Sequence, residues 1–227
     1  MTSLDDINRE IVACTRCPRL VWWREEAART PPARYAGQTY WARPLPGFGD
    51  PRARVLVVGL APAAHGGNRT GRIFTGDRSG DFLFRVLHAT GYANQPESTA
   101  PGDGLGLSDL YVAAVNRCAP PGNRPTPTER NNCLPYLAAE LRALLELRVI
   151  VCLGAYAWDG ALRAIGQLGA LARPRPAFRH LASARAGEFA LLGSYHPSQQ
   201  NTFTGRLTEQ MLADVFRRAR DLAGADR

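Results

Sequence analysis

Lysine is missing from this chain altogether: all 28 basic residues are arginine. A phosphate-binding loop of the Walker A kind needs its lysine, so that loop is excluded. Mechanisms that pass through a lysine Schiff base are excluded with it. No acidic cluster suits a magnesium ion. No apolar stretch approaches the roughly 20 residues of a membrane span. The opening Met1-Thr-Ser-Leu-Asp-Asp6 has no basic region followed by an apolar one, so the reading is a cytoplasmic protein without a secretory signal. There is no internal repeat, heptad pattern or low-complexity tract.

What is present suits a globular chain with a real core. The 227 residues are expected to form a single domain, 1–227, with 1–50 as an N-terminal segment packed upon it. The net charge of +8 points toward polyanions, although a composition that supplies only arginine inflates that signal. Apolar runs at 54–58, 110–115, 149–153 and 189–192 read as buried strands. Helical patterns cover 3–14, 81–91, 128–147, 155–168 and 207–222, with Ser3 and Thr128 as caps. Residues 14–49 read as irregular, dotted with Trp22, Trp23, Tyr35, Tyr40, Trp41 and Phe48, and 173–186 as a basic loop. Alternating strands and helices predict an α/β fold. It has three layers, α/β/α, around a central, mainly parallel four-stranded sheet. Function is then expected where loops 59–80, 116–127 and 193–204 and the turn at Gly154 meet, at the carboxyl ends of the strands.

The first of those loops is the most informative. The run Val55-Leu-Val-Val-Gly59 stops abruptly, and a long segment containing His65, Asn68, Arg69, Arg72, Phe74 and Asp77 precedes the next helix. Connections in such folds usually take only a few residues. Each polar residue has a structural reading beside the functional one. Asp77 or Ser79 suits a helix N-cap, His65 a hydrogen bond to a carbonyl, and Phe74 a place in the core. In the last loop, Gly193-Ser-Tyr-His-Pro-Ser-Gln-Gln-Asn201, His196 leaves a buried strand directly into the expected crevice. Asn123 reads either as a turn residue or as a polar group of that crevice.

Five cysteines complete the inventory. Cys152 lies within an apolar strand and reads as a core residue. Cys14, Cys17, Cys118 and Cys133 lie in polar surroundings, and a cytosolic disulfide framework is disfavoured. Three readings stay open: a [4Fe–4S] cluster, zinc, or unligated thiols. A four-cysteine zinc site usually joins two closely spaced pairs, whereas fourteen residues separate Cys118 from Cys133. The uneven spacing suits the cluster better.

Gly59-Leu-Ala-Pro62, Phe74-Thr-Gly-Asp77, His196-Pro-Ser198 and the four cysteines, in this order, resemble the uracil-DNA glycosylase superfamily. The likeness is to its iron–sulfur-containing family 5 (type B), and it runs from Cys14 to the last helix. It implies a monofunctional DNA glycosylase of base excision repair that excises uracil, with hypoxanthine as a further candidate base. Cys14, Cys17, Cys118 and Cys133 would hold a [4Fe–4S] cluster. Gly59, Leu60, Ala61, Pro62, Ala63, His65 and Phe74 would contact the base, with Phe74 stacking on it. Asp77, His196 and Asn123 would be catalytic. Better-known members carry a polar side chain near the start of the first motif, where Leu60, Ala61, Pro62 and Ala63 offer none; that moves the catalytic carboxylate to Asp77. Arg69, Arg72, Ser198, Gln199 and Arg206 would contact DNA. Arg16, Arg19, Arg117 and Arg124 would face phosphates, and the loop with Gln200, Asn201 and Phe203 would supply a wedge. The implied partner is DNA, with no membrane, and the chain is expected to be a monomer. The competing classes are a non-catalytic iron–sulfur DNA-binding protein and a nucleotide hydrolase or transferase.

Overall fold

The computed structural model describes residues 2–170 and 174–224, so Arg173, where the basic loop was expected to begin, lies outside the described residues. Helix α1 (Leu4–Val12) starts at Ser3, whose hydroxyl accepts from the Asp6 N–H while the Asp6 carboxylate accepts from the Ser3 N–H. Helix α2 (Pro18–Arg29) corrects the expectation of irregular chain in this region. Proline at its first position costs no hydrogen bond. Its buried positions are Leu20, Arg24 and Ala27, so an arginine interrupts the apolar stripe that would have signalled a helix.

Strands β1 (Phe48–Gly49) and β2 (Val55–Gly59) follow, then the short α3 (Gly67–Thr70) and α4 (Arg78–Ala89). Next come β3 (Leu110–Ala114), α5 (Pro127–Ala143), β4 (Val149–Leu153) and α6 (Ala155–Gln167). The chain closes with β5 (Ser183–Ala186), β6 (Phe189–Ser194), α7 (Gln199–Phe203) and α8 (Glu209–Gly224). Helix α5 is capped by Thr126 with Glu129 in a capping box, two residues before the expected Thr128.

The sheet has six strands in the order β1-β3-β2-β4-β6-β5. The four expected strands are its parallel centre, and β1 and β5 add antiparallel edges, so the sheet is mixed rather than four-stranded. The edges were invisible in the sequence for physical reasons: β1 is two residues long, and β5 reads Ser-Ala-Arg-Ala, mostly unburied. Every residue of the four central strands is buried, as expected of parallel strands covered on both faces. Alternate residues divide between two cores. Val55, Val57, Val112, Val151 and Leu192 meet α4 and α8, whereas Leu56, Val58, Ala113, Ile150 and Leu191 meet α5 and α6. The three layers follow from that alternation.

The parallel strands end flush, Gly59 opposite Ala114 and Leu153 opposite Ser194, so their exit loops converge on one rim. The loop after β3 is more deeply seated than its polar sequence suggested. Asn116 is fully buried and accepts from Tyr156 Oη at 2.7 Å. Arg117, expected to face phosphates, is buried in an ion pair with Glu140 of α5. Removing one partner of such a pair costs roughly 3–5 kcal/mol. Among the described residues no helix is long and apolar enough to cross a membrane.

Candidate active site

A cavity of about 310 Å³ opens on the rim formed by the strand ends. Gly59, Leu60, Ala61, Pro62, Ala63, Phe74, Asp77, Asn123, His196 and Ser198 line it, joined by Ile73, Ser79 and Ala114. Roomier hollows lie elsewhere on the surface, but volume does not select a site. Convergent polar groups at the carboxyl edge of a parallel sheet do. Ile73 and Ala114 are not among the residues expected from the sequence, and Ser79 is expected there only as a cap. Ala114 carries a usable signal, since it lies at the end of an apolar strand.

Asp77 both caps a helix and lines the cavity. It is the N-cap of α4, its Oδ1 accepting from the Ser79 N–H at 2.9 Å and the Gly80 N–H at 3.1 Å. Oδ2 accepts no hydrogen bond from the described residues. Gly66 packs tightly on that oxygen: a Cβ there would lie 2.3 Å from Oδ2. Burial raises the pKa of Asp77 above the ordinary carboxylate value, and the two backbone N–H groups only partly offset it.

Phe74 is held in a left-handed backbone conformation, φ 54°, which a bulky residue rarely adopts. The turn aims its ring at Gly59, where a Cβ would come within 2.7 Å of it. The ring also stands 6.0 Å, centroid to centroid, from His196. Strand β6 delivers His196 to the cavity, and Asn201 Nδ2 donates to its carbonyl oxygen at 2.8 Å. The His196 ring keeps some surface toward the cavity, while protein encloses its other sides. That burial lowers its pKa to about 4 and keeps it neutral near pH 7. Asn123, φ 56°, completes the rim from the turn after Cys118. The cavity therefore offers an apolar floor, one carboxylate, one neutral imidazole and one carboxamide.

Other expected site residues lie elsewhere. His65 is outside the lining; its Nδ1 meets Tyr40 Oη at 3.0 Å and its ring stacks on Tyr35. Arg72 is buried and paired with Asp103 and Ser98, which corrects its reading as a DNA contact. Arg69 is occupied by the His65 and Gly76 carbonyls and by Gln38. Arg19 pairs with Glu129, and Arg16 lies over the Tyr136 ring. Gln199, Arg124 and Arg206 are exposed, with Arg206 stacked over Tyr195 at 4.5 Å. Phe203, at the end of α7, is 66% exposed, with the Arg78 guanidinium over its ring.

The four cysteines gather where α2, the loop after β3 and the start of α5 meet. Cys17 and Cys118 share a small buried cluster with Leu20. Cys118 stands near enough to Cys133 and Cys14, and Cys133 near enough to Cys17 and Cys14, for their charges to act on one another. Burial raises Cys118 to about 12 and Cys133 to about 11, so as unligated thiols they would stay protonated and inert. Among the described residues no three His, Cys, Asp or Glu side chains stand close enough to hold one metal ion. Four soft thiol donors drawn from three segments are a donor set that either a [4Fe–4S] cluster or a zinc ion would accept.

Comparison with known proteins bears on the same region. The model of the Uracil DNA glycosylase superfamily matches residues 46–220, which include every lining residue of the cavity. A type-5 uracil-DNA glycosylase of Mycobacterium leprae (strain TN) is 52% identical over 223 residues, 98% of this chain and 96% of that protein. Another, from Thermus thermophilus, is 51% identical over 215 residues, 94% of this chain and 95% of its own length. A type-4 uracil-DNA glycosylase of Archaeoglobus fulgidus is 33% identical over 158 residues, 69% of this chain and 62% of that protein.

Proposed function

The chain belongs to the uracil-DNA glycosylase superfamily, and on that premise we propose that it flips uracil out of DNA and hydrolyses the bond between base and sugar. The observation that carries the reading is the convergence of Asp77, His196, Asn123 and Phe74 on one cavity at the small end of the ligand-pocket range, roughly 300–1,000 Å³. A stacked base is out of reach, so it must leave the helix to enter that cavity. Phe74 stacks on the extruded base, a contact worth roughly 1–3 kcal/mol in single-strand systems. The bond from C1′ to the base nitrogen breaks with its electron pair leaving on the base. Positive charge then develops on the sugar, where the Asp77 carboxylate stabilises it. Water adds to C1′ and passes its proton to Asp77. Neutral His196 and Asn123 donate hydrogen bonds to the developing base anion, which later takes a proton from solvent.

Without lysine the chain has no side-chain amine to attack C1′, so the product is an abasic site with the strand intact. Ala61, Ala63 and Ala114 place no side-chain amide against the base edge, which fits a permissive pocket accepting uracil opposite guanine and hypoxanthine as well. Exposed Phe203, five residues past the cavity-lining Ser198, is our choice for the wedge that fills the gap left by the base.

Cys14, Cys17, Cys118 and Cys133 would hold a [4Fe–4S] cluster whose part is structural. Asn123 lies five residues past Cys118, so ligation at Cys118 ties the catalytic turn to the N-terminal segment. Reduced thiols fit the cytoplasm, and a single chain supplies every group of the cavity, in keeping with action as a monomer.

A duplex with one uracil, incubated with the protein and then treated with alkali, is expected to break only after the alkali. Breaks before alkali, or none after it, would refute the reading. Gly66→Ala is expected to lower the rate of base release about 100-fold with near-normal DNA binding, because its Cβ displaces the free oxygen of Asp77. Single-turnover kinetics beside a binding titration check this.

A further inference from the structure

Three arginines of the described chain are buried: Arg24, Arg72 and Arg117. Two of them face carboxylates, Asp103 for Arg72 and Glu140 for Arg117. Arg24, only 5% exposed, pairs with no carboxylate among the described residues. Its Nη1 donates to Cys118 Sγ and to the Cys14 carbonyl oxygen, each at 3.4 Å. Its Nε is buried without a partner. Asn68 Nδ2 donates to the Arg24 carbonyl at 3.0 Å, which fixes the backbone beneath it.

A guanidinium does not lose its proton in a protein. Burying one therefore demands negative charge beside it. Neutral thiols supply none, and the acids that answer Arg72 and Arg117 have no counterpart here. Four ligating thiolates would supply it, and Cys118 and Cys14 are two of the four. A second of the four sulfurs also accepts a side-chain hydrogen bond, since Asn132 Nδ2 donates to Cys17 Sγ at 3.5 Å.

We propose that Arg24 is the charge-compensating residue of the four-cysteine centre, holding its positive charge against the Cys118 and Cys14 side of the bound cluster. The inference rests on the cluster reading above. In this role Arg24 stabilises the ligated, anionic form of the centre and raises its reduction potential, because charge and hydrogen bonds at the sulfurs favour the more reduced state. It touches neither base nor sugar, so it is a positioning residue.

The test uses the full chain purified without oxygen. Iron, zinc and acid-labile sulfide are measured, and the midpoint potential is followed by electron paramagnetic resonance. Wild-type protein lacking iron and sulfide overturns the cluster reading and this inference with it. With the cluster present in wild type, Arg24→Met is expected to shift the potential to more negative values and to speed iron loss to a chelator. Arg24→Lys, which keeps the charge, is expected to stay near wild type in both. A loaded Met variant with wild-type potential and iron retention overturns the role of Arg24 while leaving the cluster reading intact. If the Met variant does not fold, the Lys variant decides. A loaded Lys protein of near-wild-type potential supports the role, and a Lys variant that also fails to hold iron overturns it, because shape rather than charge would then be required.

Discussion

Asp77→Asn is expected to slow base release by at least about 100-fold, the lower range for a lost catalytic carboxylate, without weakening DNA binding. The substitution is well suited to isolate chemistry from folding. Asparagine is as good an N-cap as aspartate, and its Oδ1 can still accept from the Ser79 and Gly80 N–H groups. Only the charge of this cavity-lining side chain disappears. Stability should move the other way. Burial raises the Asp77 pKa in the fold above its unfolded value. The folded state therefore holds a proton more tightly than the unfolded one. Asp77 favours the fold at low pH, and that contribution is lost as pH rises through the folded pKa. At pH 7 the Asn variant is expected to melt at or above the wild-type temperature, and the difference should vanish in acid. The wild-type rate should fall on the acid side at a pH above the ordinary carboxylate range. Single-turnover rates and melting curves across pH check both parts. A near-normal rate for the variant would remove Asp77 from the mechanism.

His196→Ala is expected to cost about 10²- to 10³-fold in the rate of base release, the range found for removing one donor to a developing anion. Burial lowers the His196 pKa to about 4, so the ring acts as a neutral donor. The wild-type pH profile should accordingly show no inflection near the ordinary histidine value of about 6.5. A second readout follows from linkage. Between about pH 6.5 and pH 4 the unfolded histidine takes up a proton that the folded one refuses. Stability therefore falls as pH falls through that window, by up to about 3 kcal/mol. The Ala variant should lack this slope. Denaturant titrations at several pH values test it, and a retained slope would assign it to another group.

Several parts of the site were legible along the chain because they depend on short-range chemistry. An apolar run ending at glycine signals a buried strand and its exit, so the sequence alone places Gly59 and His196 at the carboxyl rim. Asp77 is readable both as a cap and as the carboxylate of the loop; its Oδ1 takes the cap, and its Oδ2 accepts no hydrogen bond from the described residues. Other parts depend on partners distant in sequence. Arg72 and Arg117 carry the same side chain as the exposed Arg124, and only Asp103 and Glu140 distinguish them. The edge strands gain their hydrogen bonds from neighbours rather than from an apolar pattern of their own, and α2 hides its helical stripe behind buried Arg24.

By itself the sequence determined the α/β layering, the loops that carry the chemistry, the want of an amine nucleophile and the four candidate ligands. Each of these follows from residue type, periodicity or spacing, which are local quantities. Only the tertiary structure decided which arginines remain available to phosphate, that His65 stands apart from the cavity, and that Gly66 sets the free oxygen of Asp77. It also decided that a buried guanidinium rests against Cys118. Those outcomes turn on desolvation and on charges brought together from separate segments, and such energies exist only once the chain has closed on itself.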